Sequence, residues 1–143
     1  MNTRHVALIV PYAGDKILLQ ERSSVTSPGE RWGFFGGRIE EGETPIQAVR
    51  REAMEELEFA PRTLRFLGTV TSTEHAPVER MHIAEVFITP VGEDLSPFIV
   101  HEGNSAKFFT IAEARKLSMY HNDGNILTLL EKELYSSSAG RTA

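Results

Sequence analysis

Cysteine is absent from all 143 residues, which removes disulfides and thiolate metal sites from consideration. No apolar run is long enough to span a bilayer. The amino terminus, MNTRHVALIV, has too short an apolar part and no cleavage site for a signal peptide. Positive charge is also scarce: 15 Lys and Arg against 20 Asp and Glu leave a net charge of −5, which argues against a general nucleic-acid binder. These absences fit a cytoplasmic chain with no membrane partner and no expected nucleic-acid partner. There is no internal repeat and no shift in composition. The expectation is one domain over residues 1–135, large enough for its own core, and a small, polar, disordered tail over 136–143.

What stands out is the stretch from Gly36 to Phe59, GGRIEEGETPIQAVRREAMEELEF. Thr44 is placed as an N-cap, Pro45 takes the first helical position, and Gln47 completes a capping box. Good helix formers then continue for about four turns. On a projection at ~100° per residue, Ile46, Val49, Ala53 and Leu57 form a stripe expected to face the core. Glu52, Glu55 and Glu56 share the neighbouring arc. Exposed like charges at this spacing cost only about 0.2–0.5 kcal/mol per pair. Beside a packed face the cost rises to about 4 kcal/mol at ~4 Å and an effective dielectric of ~20. A hard divalent cation with oxygen ligands, such as Mg²⁺, removes that penalty.

Taken alone, an acidic helix reads as a solvated surface with Arg50 and Arg51 as counterions. The preceding loop alters that reading. Gly36, Gly37 and Gly42 allow the backbone to approach a ligand, and Glu40, Glu41 and Glu43 add carboxylates beside the helix start. Gly37, Glu43, Arg51, Glu52, Ala53, Glu55, Glu56 and Phe59 match in register a Nudix box, and the chain resembles the Nudix hydrolase family. One position departs: Glu58 stands where the family carries a glycine, which puts the end of the helix in question. Phe35 also replaces the proline common before the glycine pair.

The resemblance implies an α/β fold, the Nudix-type α/β/α sandwich with a mixed β-sheet between helices. It also implies a Mg²⁺-dependent pyrophosphohydrolase, with Mn²⁺ as the alternative metal. By the same resemblance Glu52, Glu55 and Glu56 are metal ligands, helped by the backbone carbonyl of Gly36. Glu52 is in addition the residue that orients or deprotonates water, and Arg51 with Glu43 forms an ion pair holding helix to loop. Glu102, ahead of Phe108 and Phe109, is the best positional match for a further metal ligand or base, against the alternative of an exposed loop glutamate.

Along the rest of the chain, His5–Tyr12 reads as a buried strand and Lys16–Glu21 as its antiparallel return. Arg22–Arg31 is a loop, and Trp32–Phe35 is a short aromatic strand. Thr63–Thr73 is a strand bent at Gly68, followed by a strand over Arg80–Thr89. In the latter, Ile83, Glu85 and Phe87 share a face. Glu85 reads first as an edge-of-sheet residue with a basic partner, and second as a pocket carboxylate touching substrate. A short strand ends at Phe108-Phe109, a short helix over 111–117 is capped by Thr110 with Glu113, and a final helix spans 121–135. The five histidines show no metal-ligand spacing.

Substrate choice is open at this level. A small chain without an added domain tilts toward a nucleoside triphosphate, by analogy of fold, cleaved to a monophosphate and pyrophosphate. Nucleotide sugars, dinucleoside polyphosphates and a non-catalytic nucleotide-binding module are the alternatives; the full set of box carboxylates favours an enzyme. Trp32, Phe34 and Phe108 are candidates for stacking on a base, with a role as core aromatics as the equal alternative. Arg4, Arg22, Arg31 and Arg80 would make a basic path only if they converged in space. The oligomeric state is open, a homodimer included.

Overall fold

The computed structural model describes residues 2–22, 31–75, 79–95, 97–100, 104–117, 119 and 123–136. Glu102, His101, His121, the tail beyond Ser136 and most of the loop after Arg22 lie outside these residues, while Ser136 itself belongs to the last helical turn.

The elements in order are β1 (Asn2–Ala13), β2 (Lys16–Arg22), β3 (Trp32–Gly33), β4 (Phe35–Arg38), α1 (Pro45–Leu57), β5 (Arg65–Glu74), β6 (Arg80–Pro90), β7 (Asn104–Thr110), α2 (Ile111–Ala114) and α3 (Asp123–Leu130). A π-wound turn, Glu131–Ser136, follows α3. The sheet order is β3-β2-β1-β6-β5, with β4 also paired to β1 and β7 to β2. β1 and β6 run parallel from Asn2↔Arg80 to Tyr12↔Pro90, and the other pairings are antiparallel. The sheet is therefore mixed.

The near-continuous apolar run of β1 has a direct cause: this central strand is buried on both faces. Ala7 and Ile9 pack with Ala48, Val49, Ala53 and Leu57 of α1. Val6 and Val10 pack on the other side with Ile111 and Ala114 of α2 and Ile126, Leu127 and Leu130 of α3. Helices thus cover both faces of one mixed sheet, the expected α/β/α sandwich.

The aromatic stretch Trp32–Phe35 forms two strands rather than one. β2 stays beside β1 only at Tyr12↔Ile17 and Ala13↔Lys16 and then diverges toward β7. β3 follows β2, through Gly33↔Gln20 and Trp32↔Glu21, while β4 fills the opened gap beside β1, from Ile9↔Phe35 to Val6↔Arg38. Phe34 and Phe35 consequently enter opposite cores. Gly36 has φ +138°, and any side chain there would collide with the Ala7 carbonyl and the Leu8 Cα. β5 carries the expected irregularity as a register shift between Phe66 and Gly68.

Helix α1 opens with the predicted capping box. Thr44 Oγ1 accepts from the Gln47 N–H at 3.3 Å, and Gln47 Oε1 accepts from the Thr44 N–H at 2.9 Å. The core stripe is shifted, however. Ala48 is buried beside Val49, Ala53 and Leu57, and Ile46 is 40 % exposed. The first turn carries Ile46 into a recess with Phe66, Thr69 and Phe87, away from the core beneath the later turns. Helix α2 is shorter than predicted, stopping at Ala114, and the final helix widens into its π turn after Leu130 and ends at Ser136.

The helix end resolves the question raised by Glu58. That residue sits at φ 49°, ψ 42°, the left-handed conformation a glycine would take without strain. Its N–H reaches Met54 O, the Phe59 N–H reaches Ala53 O, and the Phe59 ring packs against Phe98 at 4.8 Å. Helix termination is preserved at the cost of a strained glutamate. Replacing Glu58 by Gly should therefore raise stability by about 0.5–1 kcal/mol, the left-handed penalty less the entropy of glycine. Urea unfolding checks this, and an unchanged midpoint would mean that the glutamate carries no net strain.

Candidate active site

The loop and α1 are joined through Arg51, whose side chain is 24 % exposed. Its Nε donates to Glu43 Oε2 at 2.7 Å and its Nη2 to Glu43 Oε1 at 3.0 Å, a two-pronged pair. Nη2 also donates to the Arg38 carbonyl at 3.0 Å. Nη1 donates to Glu52 Oε1 at 2.9 Å and to Glu55 Oε1 at 3.0 Å. A guanidinium has five N–H groups, and these five bonds use the complete set. The predicted Arg51–Glu43 pair is present, and the same cation also gathers two helix carboxylates.

Charge is nonetheless unbalanced. Glu43, Glu52 and Glu55 all accept from one guanidinium, and Glu40 lies 3.7 Å from its Nε, so carboxylates outnumber the cation they share. The Arg51 hydrogen bonds, helped by the Glu40 N–H, hold the Glu43 carboxyl down to about 2 from its ordinary 4.5. In return Glu43, then Glu52, raise the affinity of Arg51 for its proton.

Glu56 points elsewhere. Its Oε1 accepts the Gly36 N–H at 2.7 Å, and its Oε2 accepts from Gln20 Nε2 at 3.4 Å. Gly37 lies against the Glu52 carboxylate so closely that a Cβ there would collide with it. Among the described residues, no three carboxylate or imidazole groups converge on a common point in this arrangement. Glu52 and Glu55 are drawn to Arg51, and Glu56 to the glycine loop.

A cavity of about 310 Å³ adjoins the two glycines. Its walls include Trp32, Phe34, Gly36 and Gly37, with Arg4, Arg80, His82 and Asp123 among its polar lining. Trp32 and Phe34 are both cavity wall and core: Phe34 is 4 % exposed, and Trp32 packs edge-on against Phe109 at 4.9 Å. Of the four arginines considered from sequence, Arg4 and Arg80 meet here, whereas Arg31 lies against Glu21 at 2.5 Å. Arg4 and Arg80 come together because β1 and β6 are parallel neighbours, a pairing no local pattern announces. His82 and Asp123 on the cavity wall, and Gln20 beside Glu56, are residues that no sequence pattern singled out.

Glu85 is not at a sheet edge, because β6 lies between β1 and β5. Its expected basic partner is His5, at 2.8 Å, and Thr69 donates to its other oxygen. It lines the separate recess with Thr44, Pro45, Ile46, Phe66 and Phe87, not the cavity beside Gly36 and Gly37. Among the described residues, no helix is long and apolar enough to cross a membrane.

A family model described as NUDIX domain matches residues 1–130. The chain is 31 % identical over 61 residues to the nucleoside triphosphate pyrophosphatase/Nudix hydrolase fusion protein of Bifidobacterium longum, covering 43 % of this chain and 12 % of that one. It is 30 % identical over 94 residues to the ADP compounds hydrolase NudE of Escherichia coli, covering 66 % and 47 %. It therefore spans less than half the length of either relative. Among solved structures, the E. coli ORF135 protein superposes with a TM-score of 0.75 at 22 % identity, covering 96 % of this chain and 94 % of that one. The MutT NUDIX hydrolase of Burkholderia pseudomallei gives 0.71 at 20 % identity, with 94 % and 99 % covered. The NUDIX domain of Shewanella oneidensis NrtR, complexed with ADP ribose, gives 0.70 at 20 % identity, with 94 % and 90 % covered. These structures share the fold.

The lowered Glu43 value has a definite signature in acid. Its stabilising contribution is complete above the ordinary value of 4.5 and disappears as pH falls through about 2. The Glu43→Gln variant should thus be less stable than the parent at neutral pH, with the gap closing between about pH 4.5 and 2. Thermal unfolding across that range measures it; a gap independent of pH would remove the ion pair as its cause.

Proposed function

The chain belongs to the Nudix family, and from that membership we propose that it hydrolyses the diphosphate linkage of a nucleoside diphosphate derivative, with a nucleoside triphosphate as the preferred substrate. The observation that carries this reading is the placing of the β4 glycines between the cavity and the carboxylates of α1. Gly36 and Gly37 line the cavity, Gly36 holds Glu56, and Gly37 abuts Glu52. A nucleoside seated in the cavity would direct its phosphates toward the carboxylates across these glycines. The volume of about 310 Å³ is at the small end of ligand sites, suited to a base and sugar rather than to two nucleosides.

The donor type suits a hard divalent cation, and holding one would require Glu52 and Glu55 to turn from Arg51 toward Glu56. The donor set consists of carboxylate oxygens on one helix, with negative charge left over after Arg51 is counted. By the family resemblance Glu52, Glu55 and Glu56 would hold Mg²⁺ or Mn²⁺, helped by the Gly36 carbonyl. Bound there, such a cation supplies charge neutralisation for the diphosphate and acidifies a coordinated water. The chain's own contributions are positional. Arg51 keeps Glu52 and Glu55 at the loop face. Glu52 is the base that orients and deprotonates the attacking water, in line with the leaving phosphate oxygen. Arg4 and Arg80 place cationic groups on the cavity wall, where they can meet a phosphate or base oxygen.

A second reading, hydrolysis of an ADP-linked compound, is favoured by the likeness to NudE. Phosphate-coupled turnover on nucleoside triphosphates, ADP-linked compounds and dinucleoside polyphosphates, with Mg²⁺ and then with EDTA, separates the two. Triphosphate cleavage should dominate, vanish with EDTA, and fall by ~100-fold or more in Glu55→Gln, which should melt as the parent does. Nucleotide binding without turnover anywhere on the panel would instead make the chain a binding module. For the cavity, Arg80→Ala should raise KM by roughly tenfold with little change in kcat, since binding that is equal in ground and transition states is what it removes. A fall in kcat at constant KM would place Arg80 in the chemical step.

A further inference from the structure

Gln20 is a polar side chain in an apolar setting. It lies on β2, where Leu18 faces the α1 layer and Ile17 and Leu19 face the α2–α3 layer; strand alternation puts Gln20 on the α1 side. It is 3 % exposed. A buried primary amide is retained only where its hydrogen bonds are made. Here Nε2 has two hydrogens and two acceptors: the Phe34 carbonyl at 3.2 Å and Glu56 Oε2 at 3.4 Å. The reversed amide would set its oxygen against a carbonyl and a carboxylate, so the orientation is fixed by chemistry. Its cross-strand neighbours, Gly33 and Ala106, are small and leave the amide room to reach the helix.

From this geometry we infer that Gln20, outside the loop–helix motif, is the positioning residue for the Glu56 carboxylate. The inference rests on the reading of Glu56 as a metal ligand. The Gly36 N–H holds one oxygen of Glu56 from β4, and the Gln20 amide holds the other from β2. Donors on two different strands thus hold the two oxygens of this carboxylate. An α-helix side chain with three rotatable bonds would otherwise lose orientational entropy when it meets a cation. Fixing it beforehand is how outer groups raise metal affinity, and loss of such a partner typically weakens binding by ~10–100-fold.

The test uses the full chain without substrate. Mn²⁺ affinity is read from the electron paramagnetic resonance of the free ion, and folding from circular dichroism melts. Gln20→Met keeps length and apolar volume but cannot donate to Glu56. Its Mn²⁺ dissociation constant should rise by ~10-fold or more, and in a Glu56→Gln background the same change should have no further effect. A lowered melting temperature with unaltered Mn²⁺ affinity would reduce Gln20 to a packing role and overturn the inference. If Glu56→Gln weakens Mn²⁺ binding and Gln20→Met does not, the ligand reading stands and the positioning role falls. If Glu56→Gln leaves Mn²⁺ affinity intact, the ligand reading itself fails, and this inference with it. Should Gln20→Met not fold, Gln20→Asn, which keeps the amide but withdraws it by one methylene, is read by the same criteria.

Discussion

One guanidinium holds this site together. Arg51 makes a two-pronged pair with Glu43, binds the Arg38 carbonyl, and reaches Glu52 and Glu55 on its own helix. Without it, loop and helix would present carboxylates to each other with nothing between them, and their repulsion would push the loop outward. A lysine could not replace it, because a single ammonium has three donors and no planar fork. The pair is partly solvated, so its value lies less in overall stability than in fixing the loop relative to the helix. The capping box at Thr44 gives a second tie at the same junction.

The sheet supplies the other half of the geometry. Because β2 leaves β1 after two residue pairs, β4 can enter beside β1 and present its glycines between two layers. On one side lies the cavity bounded by Trp32 and Phe34, and on the other the helix carboxylates. A side chain at Gly36 would meet the β1 backbone, and one at Gly37 would displace the Glu52 carboxylate.

Much of the architecture was legible in local patterns. The capping boxes at Thr44 and Thr110, the buried run of β1 and the irregularity near Gly68 all express short-range chemistry. The errors arose where a neighbour remote in sequence decided the outcome. Ile46 fits the apolar period of α1, but the turn that carries it faces the recess near Phe66 and not the core. Trp32–Phe35 has strand character throughout, yet its halves pair with different strands. Glu85 has His5 beside it but lies on an interior strand, because edge status is a matter of sheet order.

The same division separates motif from site. The spacing of Gly37, Glu43, Arg51, Glu52, Glu55 and Glu56 is a covalent property of one continuous segment. It determined the helix, its cap and the Arg51–Glu43 pair, because all of these partners lie within a few turns of one another. The cavity residues Arg4, Arg80 and Asp123, and the hydrogen bond from Gln20 to Glu56, join positions distant along the chain. Only the sheet order brings them together, since strand pairing is settled by burial and hydrogen bonding summed over the whole core. The sequence by itself determined the acidic motif and the elements that carry it; the tertiary structure decided what that motif faces and which distant side chain aims its Glu56.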